Sequence, residues 1–342
     1  MSSTHRNQPF PRAGGSPARV LALLAFGLAA VFAFSLFLGR YPAPGLIGLE
    51  RLATDQLAQR LVWNLRLPRL LVAVLLGMAL SAAGTVFQMI FANPLVEPGF
   101  LGVSQGASFG AAFSIIFLSS SAVVVQGSAA FFALLGLGVS YFLARRVRFG
   151  GWVLRLVLAG IAVSALFSSG VGVLKFTADP LSQLPEITFW LLGGLWRVTW
   201  TEARTVFPVA ALSLLVMYQM RWRLNLLSLD DEIAYSLGVA PGRERALLLT
   251  AAVVATAAVI SVSGLVGWIG LIVPHLSRRI FGADARYALP ASMLIGGGFT
   301  LICDDIARTL LAGEIPLGVL TSLIGAALFI VMMLTQNLRV RR

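Results

Sequence analysis

Ser104 lies in residues 102–106, which read G-V-S-Q-G and fit the G-x-S-x-G pattern of a nucleophilic serine on a tight turn. Such a serine needs a base, and His275 is the one histidine inside an apolar segment. The pattern arises easily by chance in a chain with 34 glycines. An intramembrane serine protease is therefore the weaker hypothesis. We expect Gly99, Gly102, Gly106 and Gly110, three or four residues apart, to let another helix approach closely.

Arginine and acidic residues form two candidate recognition sites. Arg66 and Arg69 flank a proline in R-L-P-R-L-L, at the mouth of an apolar segment. The planar guanidinium binds a carboxylate through two hydrogen bonds, so this pair is a candidate docking site for an acidic partner. The alternative is that both arginines anchor the helix at the lipid headgroups. Asp304 and Arg308, four residues apart in D-D-I-A-R, share a helix face and are expected to pair.

The acidic run D-D-E at residues 230–232 is the only one in the chain. Negative charge is favoured at a helix N-terminus, and the apolar residues that follow give the predicted helix one apolar side. We predict a short helix over about residues 228–240. It is either an ordinary amphipathic surface helix or a segment that inserts into a partner's groove.

The elements that hold these residues are membrane spans. The chain has 342 residues, of which 58% are hydrophobic and 12% are charged, and its mean hydropathy is +0.88. A water-soluble protein of this length needs more polar surface. Apolar stretches of roughly 20 residues predict an all-α polytopic membrane protein with about ten transmembrane helices. The predicted spans cover residues 19–39, 69–91, 101–118, 122–144, 152–174, 203–220, 246–262, 264–281, 288–310 and 318–335.

Charge distribution predicts the orientation of these spans. Residues 1–18 are polar and are expected to be a disordered cytoplasmic tail, and residues 19–342 form the membrane domain. Most of the 26 basic residues fall in segments on the same side as this tail, which places both termini in the cytoplasm. The same rule explains the net charge of +12 without nucleic acid. The first outer loop is an exception, since it carries Arg40, Arg51, Arg60, Arg66 and Arg69.

Other chemistry is limited by composition. A single cysteine, Cys303, excludes an internal disulfide and any multi-cysteine metal site. No G-x-x-x-x-G-K-[ST] motif is present, so the chain does not bind ATP through a P-loop. We expect no cofactor, no metal site and no enzymatic activity of its own.

Seven stretches in order resemble the permease subunits of ABC importers for iron chelates, haem and vitamin B12, the FecCD or BtuC-like family. The similarity covers nearly the whole chain from the first span onward. The stretches are RLPRLL (66–71), NPLVEPGFLGVSQGA (93–107), FWLLGGL (189–195), DEIAYSLGV (231–239), GLVGWIGLIVPHLSRRIFG (264–282), DDIAR (304–308) and EIPLGVLTSLIG (314–325).

This resemblance implies the type II importer fold, working as a homodimer in the cell inner membrane. Two ABC ATPase subunits would bind on the cytoplasmic side, and a periplasmic or lipid-anchored substrate-binding protein would dock outside. Arg66, Arg69 and Arg308 match arginines that pair with carboxylates of the binding protein. The coupling helix matches a set of residues in the acidic run: Asp231, Glu232, Ala234, Leu237, Gly238, Val239 and Arg243.

The resemblance also assigns Asn93 and Leu95 to the cytoplasmic gate, and we expect Gln88 to line the path. The expected cargo is a ferric siderophore or another iron chelate, with haem, cobalamin or a molybdate-type oxoanion as alternatives. An ion-coupled transporter is a further alternative, but such proteins usually contain inverted repeats, and none is clear here. The chain departs from the family pattern around Arg308, since the spacing to Glu314 is one residue short and Asp305 adds a second acid.

Overall fold

The computed structural model describes residues 16–41 and 43–340, and these residues confirm the all-α prediction. The long helices are α1 (Pro17–Phe37), α4 (Leu67–Ile90), α6 (Ala122–Arg146), α7 (Trp152–Thr177), α9 (Trp200–Gln219), α12 (Pro241–Ser263), α14 (Ala285–Thr309) and α15 (Leu317–Val340). The shorter helices are α2 (Leu49–Thr54), α3 (Gln56–Arg60), α5 (Val103–Phe113), α8 (Gln183–Leu192), α10 (Arg221–Leu227), α11 (Asp231–Ser236) and α13 (Ile269–Phe281).

The spans agree with the prediction of about ten. In the described residues, seven helices are long and apolar enough to cross a membrane, and the bent pair α9–α10 makes an eighth. Two shorter helices, α5 with its π-helical end at Ser114–Leu118 and α13, complete the set. The short helices α2, α8 and α11 lie in connecting segments, and α3 runs into the span that ends at Ile90.

Helix α4 is at the centre of the bundle and packs against α9, α12, α13 and α14. Small residues make the α4–α14 crossing tight, because a methyl group on Gly296 would overlap the carbonyl oxygen of Gly77. The hydroxyl of Thr85 donates a hydrogen bond to that of Ser292 at 3.0 Å, deeper in the same contact. These two helices therefore form one rigid unit, as small-residue interfaces allow in membranes.

The glycine-rich stretch has the structural role expected of it. Gly102 adopts a left-handed φ of +80° at the start of α5, and methyl groups on Gly106 and Gly110 would overlap backbone carbonyls of α6. Gly99 differs, since it lies in a 3₁₀ turn at Pro98–Leu101 that precedes the helix.

Between α1 and α4 the chain forms a small outer layer. A two-stranded antiparallel ribbon, β1 (Leu38–Gly39) and β2 (Gly45–Leu46), is followed by α2, α3 and a π-helical turn at Leu61–Arg66. Ile47, Ala58 and Val62 are its buried centre. Asp55 caps α3 and accepts a hydrogen bond from the Tyr41 hydroxyl at 2.8 Å, which lowers the pKa of the Asp55 carboxyl and raises that of Tyr41.

Two predicted boundaries shift in the structure. Helix α1 begins at Pro17, with the Ser16 side chain as its N-cap, so the last two residues of the predicted tail are helical. Residues 1–15 of that tail lie outside the described residues. The predicted helix over about 228–240 is shorter, because α11 ends at Ser236 and Gly238 follows with a left-handed φ of +78°.

Candidate functional site

Arg66, Arg69 and Arg308 converge at one end of the bundle, where α1 and α14 end and α4 begins. Arg69 binds two carboxylates. Its Nε lies 3.0 Å from Oδ1 of Asp304, and its Nη1 lies 2.8 Å from Oε1 of Glu314. The Asp304 side chain is fully buried, whereas that of Glu314 is 38% exposed. Arg69 therefore connects the interior of the bundle to its outer rim.

Arg308 is held by the end of α1. Its guanidinium donates to the carbonyl oxygens of Ser35 at 2.5 Å and Leu38 at 2.9 Å, and it pairs with Asp305. The Ser35 hydroxyl donates to the same Asp305 carboxylate at 2.5 Å. The expected i,i+4 contact to Asp304 is the longer one, at 3.7 Å. Asp305, which looked like a departure from the family pattern, is the main acidic partner.

Among the described residues, Arg66 donates to backbone acceptors alone, the carbonyl oxygens of Leu36 at 3.3 Å and Phe37 at 3.2 Å. Like Arg308, it is 9% exposed. Both side chains therefore hold the C-terminal end of α1 against α4 and α14. Because separating a buried ion from its partners is costly, the three arginines stabilise this junction. The exposed arginines of the outer layer are Arg40, Arg51 and Arg60.

The predicted gate residues occupy the opposite end of α4. Asn93 and Leu95 are exposed, and the Asn93 side chain accepts a hydrogen bond from the Leu95 amide at 2.9 Å. Gln88 is buried and joins α4 to α13, since its amide donates to the Leu271 carbonyl at 3.1 Å and accepts from Arg278. The contact between Gln88 and Arg278 was not predicted from the sequence.

His275 has other partners than Ser104. Its Nδ1 lies 3.0 Å from Nη2 of Arg278, and its ring stacks on Phe329. No hydrogen bond links Ser104 to His275 in the part of the chain that the structure describes. Within the same residues, no group of three or more His, Cys, Asp or Glu side chains is arranged to hold a metal ion.

The acidic run lies at the end of the bundle that also carries Asn93. Asp230 is the N-cap residue of α11, and Asp231 and Glu232 follow in its first turn, where the helix dipole favours them. Ala234 and Val239 are buried, whereas Tyr235 is 74% and Leu237 is 55% exposed. The exposed residues of this segment also include Glu232, Gly238 and Arg243. The helix thus presents an apolar and acidic surface that the described residues leave uncovered.

An ion pair and a side-chain amide anchor this segment. Neither was predicted from the sequence. Arg245 of α12 pairs with Asp231 at 2.5 Å and donates to the Leu227 carbonyl at 2.9 Å. Asn225 of α10 binds both Asp284 and the amide of Ala285, each at 2.8 Å. The only sequence signal was Asp284 as an N-cap residue before an apolar helix.

Comparisons with known proteins cover nearly the whole chain. The model of the FecCD transport family matches residues 27–335. The molybdate import system permease protein MolB of Haemophilus influenzae is 37% identical over 321 residues, which are 91% of this chain and 94% of that protein. An iron chelatin transport system permease protein of Helicobacter pylori is 38% identical over 270 residues, which are 79% of this chain and 81% of the relative.

A solved structure has the same fold. It is a metal-chelate type ABC transporter in an inward-facing conformation, 35% identical in sequence, with a TM-score of 0.86. The match covers 93% of this chain and 99% of the other.

Proposed function

This chain belongs to the FecCD transport family and is a transport permease. We propose that it imports a ferric siderophore or another iron chelate, and that ATP hydrolysis drives this import. The observation that carries the proposal is the agreement of fold and sequence with a metal-chelate type ABC transporter over 93% of the chain. The protein named for iron chelatin transport supports this cargo.

A second candidate cargo is an oxoanion. The relative named for molybdate import is as similar to this chain as the relative named for iron chelatin, at 37% against 38% identity. Haem and cobalamin, suggested by the resemblance, remain further alternatives.

The uncovered acidic and apolar surface of α11 is proposed as the coupling helix. The exposed Tyr235 of this helix and Leu237 directly after it would insert into an ATPase subunit. The buried Ala234 and Val239 would hold the segment on the permease. ATP binding to two such subunits would then move the coupling helices. Asn93 and Leu95, exposed near the inner end of α4, are proposed to form the gate that this motion opens, with Gln88 holding α4 to α13 beside it.

The outer arginine cluster is proposed to receive the substrate-binding protein. Arg69 is the direct contact in this proposal, because its exposed partner Glu314 can give way to a carboxylate from outside. Arg66 and Arg308 would act by holding the outer ends of α1 and α14. The exposed Arg40, Arg51 and Arg60 add positive charge to the same face, which speeds the approach of an acidic surface.

Docking is tested with the Glu314→Gln variant, which releases Arg69 from its exposed carboxylate. We expect the purified permease–ATPase complex to bind the cognate binding protein with a faster association rate, since rim charges act mainly on that rate. Glu50→Gln is the matched control, because it removes an exposed outer carboxylate that has no arginine partner among the described residues. Equal rates for both variants would contradict the role of Arg69.

We further propose a homodimer in the cell inner membrane with both termini in the cytoplasm. An open apolar groove between α8, α13 and α15, lined by Leu192, Trp268 and Leu323 among others, supports pairing of two copies around a central path. Ten spans, counted in the described residues with the bent pair and the two shorter helices α5 and α13, would place both termini on the same side.

The proposed function is tested in lipid vesicles that contain the permease, its ATPase subunits and the binding protein. We expect uptake of a radiolabelled ferric hydroxamate that requires ATP. Molybdate in place of the chelate distinguishes the second cargo. Accumulation against a gradient by the permease alone would overturn the proposal.

A further inference from the structure

Helix α10, which precedes the coupling helix, is bonded directly to the first turn of α14. The Asn225 amide donates to Oδ1 of Asp284 at 2.8 Å, and its oxygen accepts from the Ala285 amide at 2.8 Å. One side chain of α10 thus binds both the cap residue of α14 and one of its free backbone amides.

Asp284 also forms hydrogen bonds to the first turn of its own helix. Its carboxylate accepts from the Arg286 amide at 3.0 Å and from Nε of Arg286 at 2.7 Å. The Arg286 guanidinium in turn lies 4.5 Å from the ring of Trp222, a second residue of α10. Two contacts, three residues apart on α10, therefore hold this helix to α14. We call the four residues that form them the α10–α14 clamp: residues 222, 225, 284 and 286.

Helix α14 connects the clamp to the outer arginine cluster. It carries Asp284 before its first residue and Asp304, Asp305 and Arg308 in its last two turns. Between these ends, its contact with Gly77 of α4 leaves no space for a methyl group. A close-packed helix transmits displacement along its axis rather than absorbing it.

The coupling segment has a second anchor on a different helix. Arg245 of α12 holds Asp231 and the Leu227 carbonyl, at the two ends of the link between α10 and α11. A force on α11 therefore reaches α12 through Arg245 and α14 through Asn225. The second route continues along α14 to Asp304, which contacts Arg69.

We propose that Asn225 is a positioning residue for energy coupling: it passes movement of the coupling helix to α14, and through α14 to the outer arginine cluster. This inference rests on the proposed function and adds to it the route between its two binding surfaces. It predicts that, without the clamp, the rate of ATP hydrolysis no longer depends on whether a loaded binding protein is docked.

The test uses the complete complex of permease, ATPase subunits and binding protein with the Asn225→Leu variant, which keeps side-chain size and removes both hydrogen bonds. We expect basal ATP hydrolysis to be retained, while its stimulation by the loaded binding protein and the cargo moved per ATP each fall by about 5-fold or more. Arg223→Gln is the matched control. It removes a side chain of the same short helix that pairs with Glu244 of α12, and it leaves the clamp to α14 intact.

Three outcomes decide the inference. Loss of stimulation in Asn225→Leu but not in Arg223→Gln, at equal melting temperature, supports it. Unchanged cargo per ATP in Asn225→Leu overturns it. A proportional fall of ATP hydrolysis and uptake with a lower melting temperature also overturns it, because that result indicates a merely structural role. A wild-type complex without ATP-driven uptake would overturn the proposed function itself.

Discussion

Arg69 shows how a charged side chain is stabilised within a span. It bonds to Asp304, which is buried on α14, and to Glu314, in the turn before α15. Buried charges are tolerated in membranes when they pair with each other. The sequence identified Arg69 as a candidate recognition residue, but its partners lie more than 200 positions away in the chain and were not predicted.

Removing Arg69 should destabilise the protein far more than removing an exposed arginine. Arg69→Gln leaves the Asp304 carboxylate buried without its main partner, and we expect the free energy of unfolding to fall by about 3 kcal/mol. Arg51→Gln, on the exposed outer layer, should change it by less than about 0.5 kcal/mol. Denaturant unfolding in detergent measures both values. Similar losses in the two variants would mean that the Asp304 charge is compensated in another way.

Asp284 gives a pH dependence of stability. The hydrogen bond from the Arg286 side chain holds the pKa of the Asp284 carboxyl below its ordinary value, while burial acts in the opposite direction. The folded state therefore binds this proton less readily than the unfolded state. The contribution of Asp284 is present above the ordinary pKa of about 3.9 and is lost as the pH falls below it.

This contribution can be isolated by comparison with Asp284→Asn. We expect the wild-type protein to be more stable at neutral pH and the difference in free energy of unfolding to shrink below about pH 4. Denaturant titrations at pH 7 and pH 3.5 measure it. A difference that is constant over this range would show that the carboxylate charge makes no contribution.

At the scale of elements, the proposed coupling helix is where pattern and structure differ most. The acidic residues and the apolar side were predicted, and both are present in α11. Its length was not predicted, because Ala234 and Val239 pack on the permease and the chain turns at Gly238. Only tertiary contacts decide which apolar residues of such a short helix are buried and which are left for a partner.

The exposed side of α11 predicts the effect of a charge on ATPase binding. Leu237→Asp should weaken co-purification of the ATPase subunits by about 10-fold or more, since burying a leucine side chain contributes roughly 1.5–3 kcal/mol. Leu229→Asp is the control, because this leucine is also exposed but precedes the helix. Equal losses for the two variants would place the ATPase contact outside α11.

At the scale of the whole molecule, the order of spans predicts which loops share a side of the membrane. The turn between α14 and α15 should face outward, and the turn between α6 and α7 should face the cytoplasm. The one natural cysteine, Cys303, is fully buried and provides a silent background for labelling. The exposed Ala312 and Arg148 mark the two turns.

We expect a membrane-impermeant maleimide to label Ala312→Cys in right-side-out membrane vesicles, and to label Arg148→Cys only after the vesicles are opened. Each variant is the control for the other. Labelling in the reverse order would contradict the orientation of both termini and would exchange the proposed docking and coupling surfaces.

The sequence by itself determined the class of the molecule. Runs of about 20 apolar residues can only be membrane helices, because lipid offers no hydrogen bonds to other backbone conformations. Glycine spacing likewise predicted that another helix approaches this stretch closely, and the structure shows that the helix is α6. Ordered motifs identified the family, and the comparisons confirmed it.

Only the tertiary structure decided the partners of the charged residues. The link from Arg69 to Asp304, the contact of Arg308 with the end of α1, and the bonds from Asn225 to the start of α14 all join distant parts of the chain. Such pairs depend on which helices pack side by side. The hydropathy of the sequence does not distinguish between alternative arrangements of the same helices. The strength of a buried charge pair depends on geometry, which no local pattern contains.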